Sequence, residues 1–253
     1  MTATTLTRAW HEPAPVRDGL ARLAPVDAEM WASRLLGDRR RAAQHQAAEL
    51  AQITAAVESR ARRLGAAALV LTGSTARGAR SDVSDLDYHV IGARPDLGDL
   101  PAEIDLYCDE PAEFLAKLEH GDDFAHWTLR HGCVLFDSGA LREAAVYATG
   151  RDLWPDPERK LRQARRTLDF AEQLLGSGDC AAALEQVRGA LSLTARWWLL
   201  AHDVFPLARA ELPAQLIGTN QPALARALEA TIHEHPDPAS LAASLTIARS
   251  LIG

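Results

Sequence analysis

An α/β domain with a small mixed sheet, followed by an all-α helical bundle, is the architecture this sequence predicts. Three observations carry it. Between residues 66 and 137 the apolar residues come in short runs, or alternate with polar ones, over strand lengths. From Pro157 to Gly253 they recur every three or four residues, in stripes of helical length. Gly150, Pro155 and Pro157 punctuate the chain between the two regimes, which divides it into domains at 1–150 and 151–253.

The elements follow in order. The first twenty-odd residues, with Pro13, Pro15 and Pro25, read as irregular, and Asp27 is placed to cap a helix carrying Met30, Trp31 and Leu35. A longer helix starts near Leu50, where Ile53, Val57 and Leu64 keep helical spacing. It is expected to pack on the sheet. Residues 66–71 make a buried strand, Gly73 breaks it, and the residues after Ser74 open a short helix. Residues 85–91 alternate as a second strand, 94–101 form a loop around Pro95, Gly98 and Pro101, and 103–107 alternate again. A helix over 111–120 stops at Gly121, a second covers 124–130, and 134–137 form the last strand. Asp156 before Pro157 is a helix start, an N-cap and a first helical residue. Leu161, Ala164, Leu168, Ala171 and Leu175 then form one stripe; Leu184, Val187, Leu191, Ala195 and Trp198 form the next. Pro206 and Pro213 bracket a connector, and two more helices fill 221–253. Helices at such short spacing make an antiparallel bundle.

Composition narrows the function. Of 253 residues, 47% are hydrophobic, enough for a real core. The 34 acidic residues outnumber 27 basic ones, for a net charge of −7. Long nucleic acid is bound through neutralised phosphates, so that balance argues against it and suits a small, even cationic, partner. Three separated cysteines without a Cys-x-x-Cys pair read as buried free thiols in a reducing compartment. Residues 1–14 hold no apolar leader, and no run of about eighteen apolar residues occurs anywhere. The expectation is a soluble, cytoplasmic protein with no membrane contact.

The chemistry concentrates in LVLTGSTARGARSDVSDLDYHVI, residues 69–91. A strand ending in Gly73-Ser74 at a helix start turns backbone amides and a hydroxyl toward one point, which suits phosphate oxygens. Residues two apart on a strand share a face, so Asp85 and Asp87 present their carboxylates together. Two such carboxylates repel unless a cation lies between them. Hard oxygen ligands shared with substrate phosphates are what Mg²⁺ takes. In the next alternating stretch Glu103 and Asp105 share a face, and by periodicity either could be a third acid.

The succession Gly73-Ser74, ten residues, Asp85-Leu86-Asp87 and an apolar run resembles the signature of the polymerase-β-type nucleotidyltransferase superfamily. The similarity extends over about residues 66–136. A looser likeness links the helical C-terminal part to the substrate-binding domain of small-molecule, aminoglycoside-type nucleotidyltransferases. The resemblance implies a Mg²⁺-dependent enzyme that transfers a nucleoside monophosphate from a nucleoside triphosphate, ATP by preference, to a hydroxyl of a small acceptor and releases pyrophosphate. It implies two Mg²⁺ held by Asp85, Asp87 and Asp105, the family pattern favouring Asp105 because both its neighbours are apolar. Asp105 could be ligand, general base or both. The nucleotide phosphates would lie on Gly73 and Ser74, with Arg77 and Lys160 as cationic contacts, although Lys160 also reads as an ordinary solvated helix charge. Two alternatives stand beside this. The acceptor could be a protein, as for nucleotidyltransferase antitoxins, or the chain could be a non-catalytic nucleotide-binding regulatory module.

Overall fold

The computed structural model describes residues 34–40, 48–78, 85–96, 98, 100, 104–151, 153–234 and 236–253. The chain is an α/β unit built on a four-stranded mixed sheet, followed by an all-α unit, and the two compact units divide between Pro155 and Asp156. In the first unit, residues 34–40 are helical. Helix α1 (Ala48–Arg63), strand β1 (Ala68–Leu71), short helix α2 (Gly73–Ala76), β2 (Leu86–Ile91) and β3 (Ile104–Asp109) come next. Helices α3 (Pro111–Glu119) and α4 (Asp123–His131), strand β4 (Cys133–Asp137) and helix α5 (Ala140–Gly150) complete it.

The sheet order is β3-β2-β1-β4, with β1 antiparallel to both β2 and β4 and β2 parallel to β3. Both faces are covered, which is why β1 is buried at all four positions. On one face Ala68, Val70, Ile91 and Val134 pack with Phe114 and Leu118 of α3, Ala125 and Leu129 of α4, and Leu141, Ala144, Ala145 and Ala148 of α5. On the other lies α1, whose Val57 and Ala61 are fully buried. There the Thr54 and Tyr88 hydroxyls share a hydrogen bond of 2.7 Å. Leu64 departs from its expected stripe: it lies just beyond the end of α1 and is 56% exposed.

Helix α5 is an element the sequence analysis did not anticipate, since the residues before Gly150 were not assigned. Its signal was present, because Leu141, Ala144, Ala145 and Ala148 keep helical spacing and all are buried. Asp137 starts it by accepting the amides of Gly139 at 2.9 Å, Leu141 at 3.1 Å and Arg142 at 3.2 Å. Replacing Asp137 with Ala is expected to cost about 1–2 kcal/mol by orphaning those donors. A denaturant titration that finds no loss would show that α5 does not depend on this cap.

The second unit holds α6 (Pro157–Gly176), α7 (Cys180–Ala201), a 3₁₀ turn (Arg209–Glu211), α8 (Leu212–Gly218), α9 (Pro222–His233) and α10 (Pro238–Ile252). Asp156 caps α6 through the amides of Glu158 and Arg159 at 2.9 and 3.1 Å. The two sequence stripes meet in one core containing Leu161, Leu168, Val187, Leu191, Leu216, Leu228 and Leu245. Arg249 of α10 reaches Asp169 and Glu172 of α6 at 2.7 and 2.9 Å. Pro213 does not close the connector; it stands inside the first turn of α8, where its missing N–H costs nothing. The cysteines are free, but only Cys133 is buried; Cys108 is half-buried and Cys180 exposed. Among the described residues no helix is long and apolar enough to cross a membrane. The expected Asp27-capped start and the irregular N-terminus lie outside the described residues.

Candidate active site

Parallel pairing of β2 with β3 sets Asp87 directly opposite Asp105, with His89 opposite Tyr107 and Ile91 opposite Asp109. Register partners in a parallel pair point the same way, about 4.8 Å apart across the strands. That face grades from dry to wet along its length. Ile91 belongs to the core, His89 is fully buried, Asp87 is half-buried, and on the neighbouring strand Asp105 is exposed. Asp85 stands just before β2 and is exposed, two residues from Asp87.

The turn at Thr72 and Gly73 meets this acid pair through β1. Its last residues pair with the start of β2, so Thr72 donates its amide to the Asp87 carbonyl at 2.8 Å and its hydroxyl to the same oxygen at 3.2 Å. Gly73 follows with φ +65, a conformation that L side chains rarely adopt. A Cβ on Gly73 would fall 1.9 Å from Asp87 Oδ2. Only the missing side chain lets the loop lie against this carboxylate.

Electrostatics marks the same spot. Burial, then the charges of Asp105 and Asp85, push the Asp87 carboxyl up to about 6. Burial and the charges of Asp87, Asp105 and Asp85 also push the Tyr107 phenol up. Three acids therefore act on one another, and Tyr107 lies within their field. Tyr107 is 44% exposed and rests on Phe124, ring centroids 4.5 Å apart. Sequence reasoning passed over it, although its alternation with Asp105 placed it on the acidic face.

His89 is a structural residue. Its Nε2 lies 3.1 Å from Asp109 Oδ2 and its Nδ1 3.0 Å from Thr128 Oγ1, with its ring between Phe114 and Phe124. Asp109 also pairs with Lys117. The hydrogen bond from His89, followed by that from Lys117, holds the Asp109 carboxyl below the usual range against the opposing effect of burial. This buried, satisfied network fixes the strand pair one step from the acids.

The cationic candidates are less tightly placed. Arg77, at the C-terminal cap of α2, sets Nη1 3.3 Å from His131 Nδ1. Burial and then Arg77, Arg130 and Arg34 push His131 down to about 3, so its ring is neutral. Lys160 belongs to the helical unit, where its amine donates to Gln163 Oε1 at 3.1 Å. Glu103, the other acid that the sequence pattern offered, lies outside the described residues, as do residues 79–84 between the loop and Asp85.

The donor chemistry fits a hard divalent cation. Among the described residues no group of three or more His, Cys, Asp and Glu side chains is drawn together closely enough to hold a metal ion. Mg²⁺ does not need such a cage, since it is usually held by one or two carboxylates together with substrate phosphates. Asp87 and Asp105 in register meet that requirement.

No protein-family model matches the sequence, and no curated protein matches it. Among solved structures the chain is similar to a nucleotidyltransferase-like protein from Exiguobacterium sibiricum 255-15. The identity is 17% over 79% of this chain and 73% of that one, with a TM-score of 0.40. A likeness of that size says nothing about activity, and the functional reading rests on the side chains.

Proposed function

We propose that this chain is a Mg²⁺-dependent nucleotidyltransferase that moves a nucleoside monophosphate from a nucleoside triphosphate, ATP by preference, to a hydroxyl of a small molecule. One observation carries the reading: Asp87 and Asp105 are register partners, with the Asp87 carboxylate lying against the bare Cα of Gly73. That contact joins an acid pair to a loop suited to phosphate, as transfer of a nucleotidyl group requires.

In this proposal Asp87 and Asp105 are the metal-holding residues, with Asp85 adding charge from the strand entrance. Bound there, Mg²⁺ would supply Lewis-acid neutralisation of phosphate charge. The amides of the Gly73 loop and the Ser74 hydroxyl would position the β,γ-phosphates, with Arg77 one turn beyond. The acceptor oxygen attacks the α-phosphorus, the bond to the β-phosphate bridging oxygen breaks, and pyrophosphate leaves. In this reading the Asp105 carboxylate, which is exposed, would take the acceptor's proton. An aminoglycoside-like antibiotic is the acceptor class to try first. A nucleotide-binding module without turnover is the alternative reading.

The test pairs thermal shift with nucleotides and Mg²⁺ against pyrophosphate release over a panel of aminoglycosides, lincosamides and other hydroxylated rings. Metal-dependent release, stopped by chelation, is the expected result. Metal-dependent nucleotide binding with no release for any acceptor would favour the module; absence of both would remove the site.

A further inference from the structure

Tyr107 is a large ring left in water beside the acid pair, and the proposed chemistry does not use it. It stands two residues past Asp105 on β3, about 6.6 Å along the strand and on the same face. Its register partner on β2, His89, is fully buried, yet Tyr107 is 44% exposed. The difference follows from the covering helix. The Phe124 ring of α4 lies 5.2 Å from the His89 ring and 4.5 Å from the Tyr107 ring. Phe124 is held there by the first turn of α4, where Asp122 Oδ1 accepts the amides of Phe124 and Ala125, each at 3.1 Å. It covers His89 and backs Tyr107, whose remaining surface stays open.

Sheet order says which half of the site this ring serves. Gly73 follows β1, Asp87 is on β2, and Asp105 and Tyr107 are on β3. Gly73 and Tyr107 therefore lie on opposite sides of Asp87, with Gly73 against its carboxylate. In an in-line displacement the nucleophile enters opposite the leaving group. With pyrophosphate over Gly73, the entering hydroxyl comes from the β3 side, where Tyr107 offers a flat apolar surface next to Asp105. The face of an aromatic ring is negative and attracts ammonium groups. Asp85, Asp87 and Asp105 add a field of the same sign, which draws cations and repels anions.

We propose that Tyr107 is the platform on which the acceptor's ring lies, and that it selects hydroxylated rings carrying an ammonium group. The assignment to the acceptor rests on the proposed nucleotidyl transfer. Tyr107 acts through its ring face, so its hydroxyl is dispensable.

The test is titration calorimetry of the full chain in two arms, kanamycin with chelator present and ATP with Mg²⁺. Tyr107→Leu is expected to weaken kanamycin binding about tenfold and to leave ATP binding unchanged. Tyr107→Phe keeps the ring and is expected to stay within about twofold of the parent in both arms. Phe170→Leu removes a comparably exposed ring, 49%, from α6 and is expected to change neither. Fully N-acetylated kanamycin, which keeps the rings and loses the charges, is expected to bind at least about tenfold more weakly than kanamycin. The proposal is overturned if the parent shows no saturable kanamycin binding or binds the acetylated form equally well. It is also overturned if Tyr107→Leu binds kanamycin as the parent does, loses ATP binding instead, or loses both, which would mark Tyr107 as a structural residue. A Phe variant as weak as the Leu variant overturns it too. A parent chain that binds no ATP, or releases no pyrophosphate, removes the transfer reading, and the kanamycin arm still decides the platform.

Discussion

Asp87→Asn is expected to lower turnover by about a thousandfold while raising the melting temperature of the ligand-free protein at neutral pH. The first effect follows from the proposed function, in which the carboxylate holds a divalent cation whose Lewis-acid stabilisation is worth several kcal/mol. The second follows from the site's own repulsion. The folded-state value of Asp87 is lifted from 3.8 to about 6 by burial, Asp105 and Asp85. Between those values the folded chain binds more protons than the unfolded one, so this residue's contribution to stability falls as pH rises through the window. Above it the ionised carboxylate opposes folding. Asp87 keeps part of its surface in water, and solvent screening reduces the penalty to about 1–2 kcal/mol. The variant and the parent should therefore melt alike near pH 3.8, and the variant should melt higher above about pH 6. Steady-state pyrophosphate release together with melting curves across that range reads both effects. Undiminished turnover would put the metal elsewhere, and a variant that melts lower at neutral pH would make Asp87 a structural residue.

What the sequence could and could not reveal follows from the range of each interaction. The alternation through Asp87 and Asp105 is local, and the strands β2 and β3 form where it predicts them. The Asp156-Pro157 helix start is equally local and equally legible. Register is not local. Nothing in residues 85–107 says that β2 and β3 run parallel with Asp87 facing Asp105; that pairing appears only in the assembled sheet. The burial of His89 between Phe114 and Phe124 depends on two helices that come later in the chain. Helix α5 was missed for a different reason. Its pattern was readable, but its Ala-rich face resembles a surface until α3 and β4 are known to cover it.

Gly73→Ala should be as damaging to the site as losing Asp87, by a route that removes no functional group. The added methyl would meet Asp87 Oδ2 at 1.9 Å, its Cγ at 2.8 Å and its Cβ at 3.2 Å. Those distances cannot be accommodated, so either the loop or the carboxylate must move. The backbone adds to the cost, because φ +65 puts alanine in the left-handed region, worth about 1–2 kcal/mol. Overpacking contributes about 1–3 kcal/mol more. The loop cannot yield without breaking the Thr72–Asp87 hydrogen bonds that join β1 to β2, so the carboxylate is the part expected to swing away. Activity would fall with the charge still present. A double-mutant cycle separates the two costs. In an Asp87→Ala background the oxygen and Cγ clashes are gone, and Gly73→Ala should retain mainly its backbone penalty, leaving a coupling energy of about 1–3 kcal/mol between the two positions. Additive stabilities would mean that Gly73 and Asp87 do not touch in solution. The joint between phosphate loop and acid pair, on which the functional reading depends, would then not exist.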